Sequence, residues 1–423
     1  MGRGLIIAAP GSGAGKTTVT LALLRLLAQQ GVAVRGAKSG PDYIDPAFHA
    51  AACGRDCVNL DAWAMIPARL RALAAEDGLL VIEGAMGLFD GAPPDGRGAV
   101  ADLARILNLP VILVVDAARM AGSVAPLVAG FARHDPAVRL AGVILNNVGS
   151  DRHETMLRRA LAPAGPPVLA ALRRLPGLVQ PSRHLGLVQA AERPDLDAFL
   201  NGAAQALASV LDITALSALA ETLPAAEPAA RLDPPAQVIA IARDEAFGFA
   251  YPHLLADWRA AGAELRFFSP LADDPVPDAG FIFLPGGYPE LHAGRLATAE
   301  KFMLSLKSAA QNSDIYGECG GFMLLGDGLT DADGVGHEMA GLLRLETSFA
   351  TRKLHLGYRA LTPLAGPFGT AMNGHEFHYA TTRRAEGAPL FSARDAEGTA
   401  LPDMGLVAGR VSGSFAHVID AAR

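Results

Sequence analysis

At 423 residues the chain is too long for one comfortable hydrophobic core, because single cores stop growing at roughly 250 to 300 residues and longer chains split into domains. With 51% hydrophobic and 19% charged residues it can bury substantial cores and is not a disordered chain. A formal net charge of −7 gives no electrostatic footprint for nucleic acid, and no apolar run approaches the roughly 20 residues that a membrane-spanning helix requires.

Taken in chain order, residues 5–9, 79–83, 110–116 and 140–146 are short apolar runs of strand length, separated by helix-length stretches such as 17–29. That alternation predicts a parallel α/β sheet. Residues 5–9 run directly into a glycine-rich loop, without the basic start and cleavage region of a signal peptide, which points to the cytoplasm. Around residues 223–236 the sequence becomes Ala/Pro-rich and acidic and loses its apolar periodicity. An interdomain linker is expected there, between domains at 1–222 and 237–423. Beyond it, 238–242, 264–268, 279–284 and 314–316 begin a second strand–helix series, so the fold class is α/β in two domains. Three cysteines, Cys53, Cys57 and Cys319, cannot build a disulfide framework and fit a reducing compartment.

The first chemical motif is Ala9-Pro10-Gly11-Ser12-Gly13-Ala14-Gly15-Lys16-Thr17-Thr18, lying between a predicted strand and a predicted helix. This is the setting of a phosphate-binding loop, although the first glycine of the usual pattern is here Pro10. Gly11, Gly13 and Gly15 let backbone N–H groups converge on phosphate, with Thr18 in the first helical turn. Lys16 supplies charge near the β- and γ-phosphates, and the Thr17 hydroxyl is a ligand for Mg²⁺. A second strand ending near 36–38 leads into Lys38-Ser39-Gly40-Pro41-Asp42-Tyr43-Ile44-Asp45-Pro46. In a nucleotide site Lys38 is a candidate for phosphate, Asp42 for metal, and Tyr43 with Asp45 for the second substrate; alone, the loop reads as an ordinary Asp/Pro turn. Glu83, at the end of 79–83, is a further candidate for Mg²⁺, and Asp90 follows in the same glycine-rich loop. Asn146 has the donor and acceptor an adenine edge needs, whereas Asp116 suits a helix cap.

The second motif is split along the C-terminal half. In Leu284-Pro285-Gly286-Gly287 an apolar run breaks into two glycines whose N–H groups can stabilise an oxyanion. In Tyr316-Gly317-Glu318-Cys319-Gly320-Gly321 a cysteine sits between glycines where a strand turns into a helix, the setting of a nucleophile elbow with a thiol activated by the helix N-terminus. His417, in Ser412-Gly413-Ser414-Phe415-Ala416-His417, is a candidate general base. A lone cysteine or histidine is more often a packing residue, and it is the combination with the glycine loop that favours catalysis. Cys53 and Cys57 lack a second ligand pair at zinc spacing and read as structural thiols.

From Leu5 to His417 these segments, with Gly374-His375-Glu376-Phe377-His378-Tyr379, resemble the cobyrinic acid or hydrogenobyrinic acid a,c-diamide synthases. The resemblance implies a P-loop NTPase-like N-terminal domain similar to dethiobiotin synthetase and a C-terminal class I glutamine amidotransferase-like domain. It implies that Asp42, Tyr43, Glu83 and Asp90 lie at the ATP and carboxylate end. Cys319 and His417 would hydrolyse L-glutamine, with the N–H groups of Gly287 and Gly320 on the oxyanion. Class I glutaminases often carry a glutamate two positions after the histidine; here that residue is Ile419, which leaves a Cys–His dyad without an evident orienting group. The expected reaction is amidation of the a and c carboxylates of a corrin-type polycarboxylate, driven by ATP with Mg²⁺ through an acyl phosphate and supplied with shielded ammonia. Rival readings are a cobyric acid synthase, an amidase acting on a nickel-containing tetrapyrrole, and a partitioning or regulatory ATPase. The last usually has a lysine where this chain has Gly11, and has no use for the Cys319 elbow. The assembly state is left open, a homodimer included.

Overall fold

The computed structural model describes residues 2–174 and 189–422, which divide into two units, Met1–Ala229 and Ala230–Arg423. In the N-terminal unit the apolar runs form strands β1 (Arg3–Ala8), β2 (Val34–Ser39), β3 (Val58–Leu60), β4 (Leu79–Glu83), β5 (Val111–Asp116), β6 (Leu140–Val148) and β7 (Val168–Arg173). They pair in the order β3-β2-β4-β1-β5-β6-β7 with every neighbour parallel, and a stub, β8 (Glu221–Thr222), runs antiparallel to β1. Leu5, Ile6, Ile7, Leu80, Val81 and Ile82 are all fully buried, the signature of strands covered on both faces. That is why these segments read as unbroken apolar runs rather than as alternation.

Helix α1 (Lys16–Gln29) buries Leu21, Leu23, Leu24 and Leu27 against the sheet, helix α2 (Ile44–Cys53) and the helix Leu196–Ala208. Each such aliphatic side chain contributes about 1.5–3 kcal/mol. Register then positions the chemistry. Ile7 and Lys38 both pair with Glu83, so the loops after β1, β2 and β4 emerge side by side at the carboxyl ends of adjacent strands.

In the C-terminal unit β9 (Val238–Ala242), β10 (Glu264–Phe268), β11 (Phe281–Leu284) and β12 (Asp314–Glu318) belong to a six-stranded sheet in the order β10-β9-β11-β12, continued by Val411–Ser414 and Leu406–Ala408. All of its pairs are parallel except the last. Leu284 pairs with Gly317 and Glu318 with Ser414, which aligns the ends of three strands. The chain then crosses Phe415 into Ala416–Ala421, a strand of a separate five-stranded antiparallel sheet, where His417 pairs with His375. His417 thus sits two residues past Phe415, where the chain changes sheets.

The α/β fold class expected from sequence is the one observed. Short β3, half-buried β7 and the two further sheets of the C-terminal unit, one mixed and four-stranded and one antiparallel and five-stranded, were not anticipated. Two of their strands, Thr381–Glu386 and Ala400–Met404, are largely exposed and carry no apolar run.

Candidate active sites

The loop between β1 and α1 is shaped by its glycines. Gly15 caps α1 with φ 86°, a left-handed conformation, and a Cβ there would fall 2.2 Å from Asn146 Nδ2. The first turn of α1 carries no acidic side chain, and the N-terminus of a helix favours anions. Lys16 folds back along the loop, Nζ donating to the carbonyls of Met86 (2.5 Å) and Gly11 (3.3 Å). Burial lowers its pKa, with Glu83 opposing that shift and Lys38 adding to it.

Glu83 is the hub of this unit. It is fully buried; Oε1 accepts from the Thr17 hydroxyl at 2.6 Å and from Lys38 Nζ at 2.8 Å, and Oε2 meets His49 Nε2 at 2.6 Å. Lys38 also contacts Asp45 directly and lies 3.8 Å from Asp42. Burial alone would lower the Lys38 pKa, but Glu83, Asp45 and Asp42 raise it instead. Asp45 is pushed up to about 7 by burial and by Glu83 and Asp42, against the pull of Lys38. Burial works on Glu83 in the same upward direction, yet Lys38 and His49 hold its carboxyl well below the usual range. His49 is raised to about 10 despite burial, by its contacts with Cys57 and Glu83.

Around this hub, Asp42 keeps 30% of its side chain exposed, and its Oδ1 accepts the N–H of Ile44 at 2.8 Å, holding the first turn of α2. Tyr43 is the capping residue of that helix. Asp90 is exposed, accepts the Gly87 N–H at 2.9 Å and lies within electrostatic reach of Lys16. Asn146 spends its N–H on the Ala14 carbonyl at 3.0 Å, steadying the glycine loop. Beside it opens a recess of about 60 Å³ lined by Thr18, Asn146, Asn147, Leu172 and Arg173. Thr17 and Asp42 are hard oxygen donors of the kind Mg²⁺ takes, and Glu83, the third donor expected there, is fully buried and accepts from the Thr17 hydroxyl at 2.6 Å.

In the C-terminal unit Cys319 has φ 45° and ψ −101°, a strained conformation for a residue with a side chain, between β12 and the helix Gly320–Leu325. Its N–H donates to the Ser414 carbonyl at 2.8 Å, and the Gly321 N–H donates to Pro285 at 3.1 Å, so the elbow is tied to both neighbouring strand ends. A Cβ on Gly320 would lie 3.1 Å from the Gly287 nitrogen, so the two residues are close neighbours, and the Gly320 N–H bonds the Cys319 sulfur. His417 packs on the same loop, its Cε1 lying 2.1 Å from where a Gly286 Cβ would be. Beside the His417 ring, Glu318 Oε2 is 3.7 Å from Nδ1.

Burial pushes the Cys319 thiol well above its ordinary pKa, Glu290 adds to this, and the Gly320 N–H only partly opposes it. The activation expected from the helix N-terminus is therefore outweighed: the helix has six residues and the thiol is almost completely enclosed. His417 is held down at about 3 by burial and by His375 and His378. The resting pair is a neutral thiol and a neutral imidazole. Nearby, His355, Glu376 and His378 bring their ligand atoms within 4.8 Å of one another. Arg359 pairs with that glutamate at 2.7 Å and His378 bonds it at 2.9 Å, so the cluster is already charge-balanced.

Residues 5–188 match the family described as the CobQ/CobB/MinD/ParA nucleotide binding domain, and residues 238–423 the CobB/CobQ-like glutamine amidotransferase domain. Over 99% of its length the chain is 55% identical to a Brucella anthropi protein named hydrogenobyrinate a,c-diamide synthase, covering 98% of that protein. It is 56% identical to the Rhizobium meliloti protein of the same name, covering 99% of each chain. Its identity to the Rhodobacter capsulatus protein of that name is 51%, over 99% of this chain and 98% of the other. The chain belongs to the hydrogenobyrinate a,c-diamide synthase family.

In this diamide synthase the N-terminal unit is a nucleotide-binding domain and the C-terminal unit a glutamine amidotransferase domain. Thr17, Lys38, Asp45 and Glu83 meet in one cluster with Lys16 and Asp42 at its edge; Cys319, Gly320, Gly287 and His417 gather in the other. Two members of these clusters escaped sequence reasoning. His49 shares a face of α2 with Asp45, at a spacing of four, which is a usable signal. Glu318 is adjacent to Cys319, and no spacing rule points from it to His417.

Proposed function

We propose that the protein is an ATP- and glutamine-dependent amide synthase that converts the a and c carboxylates of hydrogenobyrinic acid into carboxamides in cobalamin biosynthesis. The observation that carries this reading is full-length similarity to hydrogenobyrinate a,c-diamide synthases in a chain that holds both a phosphate-loop cluster and a cysteine elbow. The synthetase domain is assigned to residues 1–222, the linker to 223–236 and the glutaminase to 237–423, on the compositional break between them. Dependence on ATP and glutamine, together with cysteines that form no disulfide, supports a cytoplasmic location.

A carboxylate resists ammonia because oxide is a poor leaving group, so it is first converted to an acyl phosphate. The N–H groups of Gly11, Gly13, Gly15 and Thr18 with Lys16 cradle the phosphates, and Asn146 leaves its amide oxygen for the adenine edge at the recess. Thr17, Asp42 and Glu83 would hold Mg²⁺, with Glu83 also accepting from the Thr17 hydroxyl, and the ion would supply charge neutralisation for the transferring phosphoryl group. Lys38 adds charge on the phosphate side, and Tyr43, Asp45 and Asp90 frame the carboxylate end.

In the glutaminase, neutral His417 takes the Cys319 proton as sulfur attacks the glutamine carboxamide, Gly287 and Gly320 donate to the oxyanion, and His417 returns the proton to the departing ammonia. Water then hydrolyses the thioester to glutamate. The test is incubation with ATP, Mg²⁺, glutamine and either hydrogenobyrinic or cobyrinic acid, followed by mass spectrometry. Two carboxyl-to-carboxamide conversions on hydrogenobyrinic acid are expected. ATP hydrolysis with neither ring acid altered would favour the regulatory ATPase reading.

A further inference from the structure

A neutral imidazole serves as base toward a thiol only if its other nitrogen keeps the proton, and something must hold it in that tautomer and orientation. The position where a glutaminase triad often carries a carboxylate is Ile419, an apolar side chain that is fully buried. A carboxylate is nonetheless present, from a different strand. Glu318, at the end of β12, is 3% exposed; its Oε1 accepts the N–H of Val418 at 2.9 Å and its Oε2 lies 3.7 Å from His417 Nδ1. One side chain therefore grips the backbone directly after His417 and faces the ring of His417 itself.

We propose that Glu318 is the positioning residue for His417, completing a Cys319–His417–Glu318 triad whose carboxylate comes from the residue before the nucleophile. This rests on the glutaminase reading of Cys319 and His417. The 3.7 Å separation closes to a hydrogen bond when glutamine seats the ring, as catalytic contacts commonly tighten on substrate binding. In the step itself the Cys319 proton passes to His417 Nε2, the sulfur lone pair forms the C–S bond, and Nδ1–H, never released, donates to the Glu318 carboxylate. The titratable groups around this pair are Tyr316 on β12, Cys319 on the elbow, and His375, Glu376 and His378 on the strand Met372–His378. Glu290, from the Gly-Gly loop side, acts on Cys319.

Burial raises the Glu318 carboxyl to about 8, with the Val418 N–H and Tyr316 opposing. Its ionised form accepts from Nδ1–H far more strongly than the neutral acid does, so glutamine hydrolysis should rise with pH as Glu318 ionises.

The experiment compares Glu318→Gln, Glu318→Asp and Cys319→Ala in the full-length protein. It measures glutamate release from glutamine across pH 6–9.5, and amidation supported by ammonium chloride. Glu318→Gln keeps an oxygen for the Val418 N–H, so folding and ammonia-supported amidation should persist. Its kcat for glutamine should fall about 10²- to 10⁴-fold, as when a triad carboxylate is neutralised, with KM little changed and the rise with pH gone. Glu318→Asp should recover part of the rate and restore the rise. Glutamine turnover within about threefold of wild type and an unchanged pH profile in Glu318→Gln overturns the proposal, as does loss of ammonia-supported amidation in that variant. Wild-type glutamine turnover in Cys319→Ala would instead overturn the glutaminase reading itself. An inactive Cys319→Ala beside an unaffected Glu318→Gln removes only the role of Glu318.

Discussion

Glu83→Gln probes the buried charge cluster that organises the phosphate loop. The carboxylate meets Thr17, Lys38 and His49 at 2.6, 2.8 and 2.6 Å with no exposure to solvent. Glutamine has the same shape but one acceptor and no charge, so either Lys38 or His49 faces an amide N–H. Removing one partner of a buried ion pair costs about 3–5 kcal/mol, a large share of a total that is usually about 5–15 kcal/mol. For a unit of this size 3 kcal/mol corresponds to a fall of about 6–12 °C in Tm. The assay is calorimetry, reading the transition that ATP with Mg²⁺ shifts upward, which belongs to the nucleotide-binding unit. Amidation with glutamine and with ammonia should fall together, because the Thr17 hydroxyl loses its fixed acceptor. A Tm within about 2 °C of wild type and an undiminished ammonia-supported rate would refute the assignment of Glu83 as the hub.

Lys16→Ala should abolish amidation with either nitrogen source while leaving glutamine hydrolysis measurable; retained ammonia-supported turnover would contradict the phosphate-loop assignment. The folded pKa of His49, about 10, lies above its unfolded value of roughly 6.5, so its stabilisation is complete below that lower value and lost as pH rises towards 10. ATP-responsive stability should therefore decline over that window in wild type and much less in His49→Gln, a difference readable by thermal scans in matched buffers. Gly286→Ala puts a Cβ 2.1 Å from His417 Cε1 and should cut glutamine hydrolysis at least about tenfold while sparing ammonia-supported amidation. Unchanged glutamine kinetics would show that His417 is placed otherwise.

The parallel core was legible because its strands are buried on both faces, so residues such as Leu5–Ile7 and Val111–Val115 leave continuous apolar runs. The phosphate loop and the Cys319 elbow were legible because both need small residues at fixed offsets from a strand end. Charge traffic was not. Lys38 reads in sequence as a free cation for phosphate, yet in the fold it is shared by Asp45 and Glu83, a pairing created by β2–β4 register and the first turn of α2. The pKa of Cys319 was misjudged for a related reason: enclosure depends on tertiary packing and outweighs a six-residue helix. Glu318 and His417 meet across 99 residues through a change of sheet, which no local pattern encodes.

The most direct test of the two-site account is Cys319→Ala, checked for folding by circular dichroism and supplied with hydrogenobyrinic acid, ATP and Mg²⁺. Diamide formation is followed by mass spectrometry with glutamine or with ammonium chloride at alkaline pH. The account predicts diamide with ammonium and none with glutamine, since the acyl phosphate forms without the thiol. Diamide from glutamine at the wild-type rate, or none from either source in the folded variant, would contradict it.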